Sequence, residues 1–264
     1  ASELADWCRT QQLPLLISTS TDASTGSEAR ARQWRYDELH QVCQQINQND
    51  GGNPCCSVVT GHTASDRAET LLLQLSRGTD LAGLASLRWE RSLKGDATDG
   101  IRLVRPLLNF SRDETAAICS DLQLPIWTDP SNSDSRFARN RIRQEVLPVL
   151  ETMCPGCSRR MAELSERVSK VQDIQSTLLE LSLEQLKGQN GALKRPALQQ
   201  LPCSARQLIL HGWLRTQGMA SLPARQLAEL NTAIGPHQPP GERHLAGRKR
   251  LHWSRDWVQL EDQS

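Results

Sequence analysis

The sequence predicts an α/β layer with a parallel sheet over residues 1–150, followed by a mainly helical region from 151 to 264 that ends in short strands. Three observations predict it. Strand-like and helical segments alternate through the first half, as they do in a parallel sheet covered by helices. The apolar run Cys55 to Thr60 ends at Gly61-His62, the profile of a strand buried on both faces. Near Leu150 to Pro155 the alternation stops and long helical periodicities take over, which places the domain boundary there.

In chain order, Leu4 to Gln11 reads as the tail of a helix and Leu13-Pro14-Leu15-Leu16-Ile17 as a short buried strand. Residues 18–26, STSTDASTG, form a polar loop. From Glu28 to about Ile46, Trp34, Leu39, Val42 and Ile46 recur at helical spacing, with Trp34 expected in the core. After the 55–60 strand a helix starts, with capping-box spacing at Asp66-x-x-Glu69, and stops near Gly78. Ile101 to Val104 is a strand, and Ser111-x-x-Glu114 opens a helix that runs to Leu122. Helices are expected over 136–147, 158–186, 205–217 and 224–234, then a Pro/Gly loop at 235–242 and strands at 249–253 and 257–260.

Composition narrows the class. Hydrophobic residues make up 38% of 264, enough for a core, and the mean hydropathy of −0.52 leaves no apolar run near membrane-span length. The eight cysteines show no disulfide framework, so they are expected as free thiols in a reducing cytoplasm. Cys154-x-x-Cys157 lacks the second pair a zinc site needs. Residues 1–150 carry 16 basic against 19 acidic side chains, and 151–264 carry 15 against 11. Only five of the 31 basic residues are lysines; the rest are arginines, the better fork for phosphate.

Four segments can carry chemistry. Gly61-His62-Thr63-Ala64-Ser65-Asp66-Arg67-Ala68-Glu69-Thr70 is a strand end, a glycine turn and a helix start, where open α/β sheets bind ligands. Asp66 and Glu69 share a face of the first helical turn and can grip a metal or a substrate ammonium; alternatively both cap the helix. In Phe137-Ala138-Arg139-Asn140-Arg141-Ile142-Arg143, Arg139 and Arg143 share a face, so both guanidiniums can converge on a phosphate or carboxylate; a solvated basic face is the alternative. In Glu28 to Tyr36, Arg32 and Arg35 flank Trp34, and the plain reading is a solvated arginine face. Arg243 to Arg255 clusters Arg248, Lys249 and Arg250 near two histidines and Trp253, which suits RNA backbone contact with base stacking, or a basic hairpin with no ligand.

Taken in order, these segments resemble the tRNA(Ile)-lysidine synthetases, of the PP-loop ATP pyrophosphatase superfamily. The resemblance rests on Glu28…Arg32…Arg35-Tyr36, Gly-His-x-x-x-Asp-x-x-Glu-Thr at 61–70, Leu-x-Arg-Gly at 75–78, Arg105-Pro106-Leu107-Leu108, Asp129-Pro130-Ser131-Asn132 and Arg139-Asn140-x-x-Arg143. It implies an incomplete parallel-sheet, nucleotide alpha-hydrolase-like domain followed by a mainly helical tRNA-recognition domain. It further implies ATP-dependent adenylation of the anticodon wobble cytidine of an AUA-reading tRNA(Ile), then displacement of AMP by lysine. Asp66 and Glu69 are then expected to hold lysine. Arg35 (or Arg32), Arg139 and Arg143 are expected as the catalytic phosphate contacts, with His62 and Asn140 lining the pocket. ATP with Mg2+, tRNA(Ile), free lysine and a cytoplasmic location come with the resemblance, and a homodimer is compatible with it. No residue is expected to ligate a metal.

Two departures qualify the resemblance. Thr63 and Ser65 stand where members often carry a second histidine and a further aspartate, which lowers the local acidity. The family's nucleotide loop, Ser-Gly-Gly-x-Asp-Ser, is nowhere in the 264 residues, and Asp50-Gly51-Gly52-Asn53 precedes a strand instead of following one. The expectation is therefore a sequence lacking its first strand and phosphate loop, and inactive alone because backbone amides of such a loop cradle pyrophosphate. Two other readings compete: a thiolase-type PP-loop modifier, disfavoured because Cys55, Cys56 and Cys119 fall in expected strands or helices, and a non-catalytic tRNA-binding remnant.

Overall fold

A computed structural model of the chain describes residues 2–20, 28–49, 54–94, 100–127, 134–219 and 222–262. The chain divides into two compact units, Ala1–Ser169 and Lys170–Ser264. The division falls inside a long helix, α8 (Cys157–Leu186), beyond the 150–155 turn.

The first unit is built on a small sheet. Its strands are β1 (Ser57–Val59), β2 (Glu90–Ser92) and β3 (Arg102–Val104), in the order β1-β3-β2. β1 runs parallel to β3, with Val58 opposite Leu103, whereas β2 pairs antiparallel with β3. The expected all-parallel sheet thus carries an antiparallel edge strand, the short polar segment Glu90-Arg91-Ser92. Helix α2 (Glu28–Asn49) lays Tyr36 and Cys43 on Val58, Leu93, Ile101 and Leu103. Burying each such aliphatic side chain contributes about 1.5–3 kcal/mol. Trp34, expected inside, is only half-buried, and Tyr36 takes the core position.

α1 (Ser2–Thr10) covers the expected first helix. The strand expected at 13–17 does not form: Leu13, Leu16 and Ile17 are exposed and the segment is irregular. An apolar run becomes a strand only where a neighbour takes its backbone hydrogen bonds, and no described strand lies against this one.

α3 (Ala64–Arg77) follows β1 and ends at Gly78, whose φ of +71° is a conformation glycine adopts without steric cost. The single turn α4 (Leu81–Leu84) and helix α5 (Arg112–Asp121) come next, the latter closed by the expected Ser111/Glu114 capping box. Residues 138–153 form one continuous helical stretch: α6 (Ala138–Arg141), a π-turn (Ile142–Val146) and α7 (Leu147–Met153). Asp129-Pro130-Ser131-Asn132 and Asp50-Gly51-Gly52-Asn53 lie outside the described residues.

The second unit packs the C-terminal part of α8, α9 (Arg195–Gln199), α10 (Cys203–Thr216) and α11 (Ala224–Ala233) with an antiparallel sheet. Its strands are β4 (Leu193–Lys194), β5 (Gly241–Leu245), β6 (Lys249–Trp253) and β7 (Trp257–Asp262), ordered β4-β7-β6-β5. Leu210, Trp213, Leu214, Ile234, Leu251 and Val258 form its core. Gly212 lets α8 approach α10, because a Cβ there would sit 2.5 Å from Leu179 Cδ2. β5 begins inside the segment expected as loop, since Gly241 and Glu242 already pair with Trp253 and His252. Among the described residues, no helix is long and apolar enough to cross a membrane.

Candidate active site

The site starts from the cap of α3. Thr63, not Asp66, is the N-cap: its hydroxyl accepts from the Asp66 backbone N–H at 3.4 Å, and Asp66 Oδ2 accepts from the Thr63 N–H at 2.8 Å. The Asp66-x-x-Glu69 box expected from spacing is therefore displaced by one turn to Thr63-x-x-Asp66. Capping consumes one oxygen of Asp66 and leaves Oδ1 free to meet cations, while Glu69 is released from any capping role.

Three arginines converge on this acid pair. Arg143 grips Glu69 through two bonds, Nε to Oε1 at 2.6 Å and Nη2 to Oε2 at 2.9 Å. Arg139 reaches Glu69 Oε2 at 2.8 Å and Asp66 Oδ1 at 3.2 Å. Arg112, from the first turn of α5, reaches Asp66 Oδ1 at 3.2 Å and Glu69 Oε1 at 3.5 Å. The π-turn begins between Arg139 and Arg143 and passes both from one helical stretch to one carboxylate; such insertions recur at functional sites. Burial opposes ionisation of Asp66, yet the Thr63 N–H and the Arg139 and Arg112 guanidiniums hold its carboxyl below the usual carboxylate range.

Beside this knot lies a cavity of about 620 Å³. Arg32, Arg77, Arg88, Arg91, Arg105 and Arg139 line it, and among the described residues no carboxylate does. Its volume is that of an ordinary small-molecule site. Arg105 is almost wholly buried; its Nη1 donates to the Arg88 carbonyl at 2.7 Å, and its Nε has no hydrogen-bond partner among the described residues. Arg32 and Arg91 each stand 5.1 Å from the centre of the Tyr36 ring. Burial opposes ionisation of the Tyr36 phenol, but Arg32, Arg105 and Arg91 together pull its pKa down. Leu87, also on the wall, has φ +56°, a strained conformation for a branched residue that costs on the order of 1–3 kcal/mol. Buried Arg67 pins it by donating twice to the Leu87 carbonyl, at 3.0 and 3.2 Å.

The expected site residues divide accordingly. Asp66, Glu69, Arg139 and Arg143 come together as one cluster, and Arg32 joins the cavity through Arg139, which belongs to both. Arg35 is exposed and does not line the cavity, so of the two α2 arginines expected at the site only Arg32 lies on the cavity wall. Asn140 is buried but donates to the Asp134 carbonyl at 2.9 Å, folding the turn before α6. Arg112 and Arg105 were not singled out by spacing. The first was hidden in a residue run read for its helix cap, and the second in a strand-end motif read only as a resemblance.

His62 sits at the β1 end with Nδ1 2.9 Å from the Thr60 hydroxyl. Burial, reinforced by Arg105, Arg139 and Arg32 against the opposing pull of Asp66, pushes its pKa from the ordinary value of 6.5 down to about 4. The folded chain therefore keeps this imidazole neutral where the unfolded chain protonates it. Stability is then lost as pH falls from 6.5 towards 4. His62→Asn is expected to flatten that part of the stability–pH curve, measured by urea unfolding at half-unit intervals; an unchanged slope refutes the assignment.

The other expected groups lie elsewhere. Arg250 is paired with Glu242 at 3.3 Å and Glu261 at 2.6 Å, and Lys249 with Asp262 at 3.2 Å. Arg248 is exposed in the β5–β6 turn. Trp253, expected to stack on a base, is instead buried in the second unit's core with its indole N–H on the Pro239 carbonyl at 3.0 Å. Cys55 and Cys56, expected in the strand, precede it, while Cys119 lies in α5 as expected; all eight cysteines are free thiols.

Residues 1–150 match the family model of the PP-loop domain. A tRNA(Ile)-lysidine synthase of Parasynechococcus marenigrum is 49% identical over 261 residues, covering 99% of this chain and 75% of that protein. The chain belongs to the tRNA(Ile)-lysidine synthase family. Relatives of the same name are 38% identical in Prochlorococcus marinus and 40% identical in a Synechococcus species, matching 98% and 95% of this chain and 76% and 73% of their own lengths. The chain thus spans about three quarters of these lysidine synthases. The PP-loop match encloses both the acid–arginine knot and the arginine cavity.

Proposed function

We propose that the chain carries out ATP-dependent formation of lysidine on tRNA(Ile), with the acid pair taking lysine and the arginine cavity taking the phosphate of the activated nucleotide. The observation that carries this reading is Arg139: one guanidinium lies on both the Asp66/Glu69 pair and the arginine-lined cavity. An ammonium held by the acids is thereby set beside a phosphoryl group held by arginines.

The chemistry has two steps. The cytidine carbonyl oxygen attacks the α-phosphate of ATP and pyrophosphate leaves. The lysine side-chain amine, once its proton has passed to solvent, then attacks the ring carbon that bears this oxygen. The C–O bond breaks, and AMP leaves with the oxygen while the attacking nitrogen gives up a further proton to solvent. Negative charge grows on phosphoryl oxygens in both steps, and fixed guanidiniums stabilise it without reorganisation. Arg105 adds a further guanidinium to the cavity wall. Neutral His62 adds no competing charge against these arginines. A magnesium ion would come with the phosphates of ATP, because such ions are held by one or two carboxylates together with nucleotide oxygens. Among the described residues no group of three or more His, Cys, Asp or Glu side chains gathers, and no step is routed through a metal.

Incorporation of radiolabelled lysine into an AUA-reading tRNA(Ile) by the protein tests this. Asp66→Asn is expected to raise the KM for lysine roughly ten- to hundredfold, the worth of a charge-assisted contact, with tRNA affinity unchanged. Equal loss of lysine use and tRNA binding overturns the assignment.

A further inference from the structure

The acid pair is over-supplied with cations. Three guanidiniums meet two carboxylates, and Glu69 is fully buried. Resting on the reading that Asp66 and Glu69 take an ammonium of lysine, a fourth cation would leave two uncompensated positive charges in a largely desolvated cluster, an arrangement that burial penalises heavily. One arginine must therefore yield.

The three are not equally held. The Arg139 and Arg143 side chains are 16% and 23% exposed, and each has a contact of 2.8 Å or shorter to Glu69. The Arg112 side chain is 41% exposed, its contacts are 3.2 and 3.5 Å, and none is bidentate to one carboxylate. Its backbone is anchored separately, because the Arg112 N–H donates to Ser65 Oγ at 3.1 Å at the start of α5. The side chain can swing into solvent while the helix end stays in place.

We infer that Arg112 is an internal stand-in for the substrate ammonium, neutralising the solvent side of the acid pair until lysine displaces it. Arg112 is then a positioning residue that sets lysine affinity: it holds the Asp66 and Glu69 carboxylates in place, and it competes with the substrate for them. An arm docked nine-tenths of the time weakens the apparent affinity of its competitor about tenfold.

The test is lysine binding to the protein by equilibrium dialysis, with KM and kcat from the incorporation assay and unfolding midpoints for each variant. Arg112→Met, which removes the competing charge and keeps most of the stem, is expected to tighten lysine binding about five- to tenfold and lower KM in parallel. Arg112→Lys retains a cation and is expected to show no tightening, which separates charge competition from added space. A folded Arg112→Met protein that binds lysine no better than the parent overturns the inference, as does equal tightening in Arg112→Lys. If Asp66→Asn leaves lysine binding untouched in the parent, the acid-pair reading itself fails, whatever Arg112 does.

Discussion

Replacing Glu69 with alanine is expected to destabilise the first unit by about 3 kcal/mol or more and to abolish lysine incorporation. Glu69 is wholly buried and is the common acceptor of Arg139 and Arg143. Removing one partner of a buried ion pair costs roughly 3–5 kcal/mol, mainly because the surviving charge is left without compensation. The lower end applies here, since Arg139 and Arg143 retain some solvent contact and Asp66 remains nearby. Glu69→Gln keeps an acceptor but loses the charge, so it should sit between parent and alanine. A double-mutant cycle with Arg143→Met measures the pair directly by denaturant midpoints. Additive losses would show that the two side chains do not act as a unit.

Arg195→Leu is expected to have a comparable effect on the second unit, about 3–5 kcal/mol. Arg195 is buried and donates to three backbone carbonyls, Ile234 at 3.2 Å, Ser254 at 2.7 Å and Gln238 at 2.7 Å. It therefore ties α9 to the end of α11, to the segment before β5 and to the β6–β7 turn. The Ile234 carbonyl keeps a second donor in Gln199 Nε2 at 3.4 Å, whereas the part-buried Ser254 and Gln238 carbonyls lose this charged donor, at roughly 1–3 kcal/mol each. Lysine cannot substitute, because one ammonium lacks the planar fork that serves three separated acceptors. Hydrogen exchange followed by mass spectrometry gives the readout: amides of β5, β6 and β7 should lose protection while those of β1 and β3 keep theirs. Uniform loss across both units would contradict this local role.

Some of this was legible in the sequence and some was not, for identifiable reasons. β6 is recovered at its expected bounds because Leu251 and Trp253 alternate with polar residues. α3 is recovered because a buried strand, a glycine turn and an apolar helical stripe follow one another, although spacing alone could not tell which of Thr63 and Asp66 caps it. β2 was invisible: three polar residues carry no periodicity, and only pairing with β3 makes them a strand. Residues 13–17 erred in the opposite direction, with apolar composition and no partner. The acid pair and the Arg139/Arg143 pair were each legible as a shared helical face. Their mutual contact was not, because the segments lie about 70 residues apart and no local rule relates them. The arginine cavity was foreshadowed only by the preference for arginine over lysine.

That cavity has a consequence for handling the protein. Six guanidiniums, with no acid beside them among the described lining residues, form a positive well that draws in mobile anions from whatever solution surrounds it. Sulfate, phosphate and chloride would occupy it to different degrees, so nucleotide affinities obtained in different buffers report the exchange of one anion for another. Titrations in a bulky, weakly coordinating buffer come nearest to the intrinsic value.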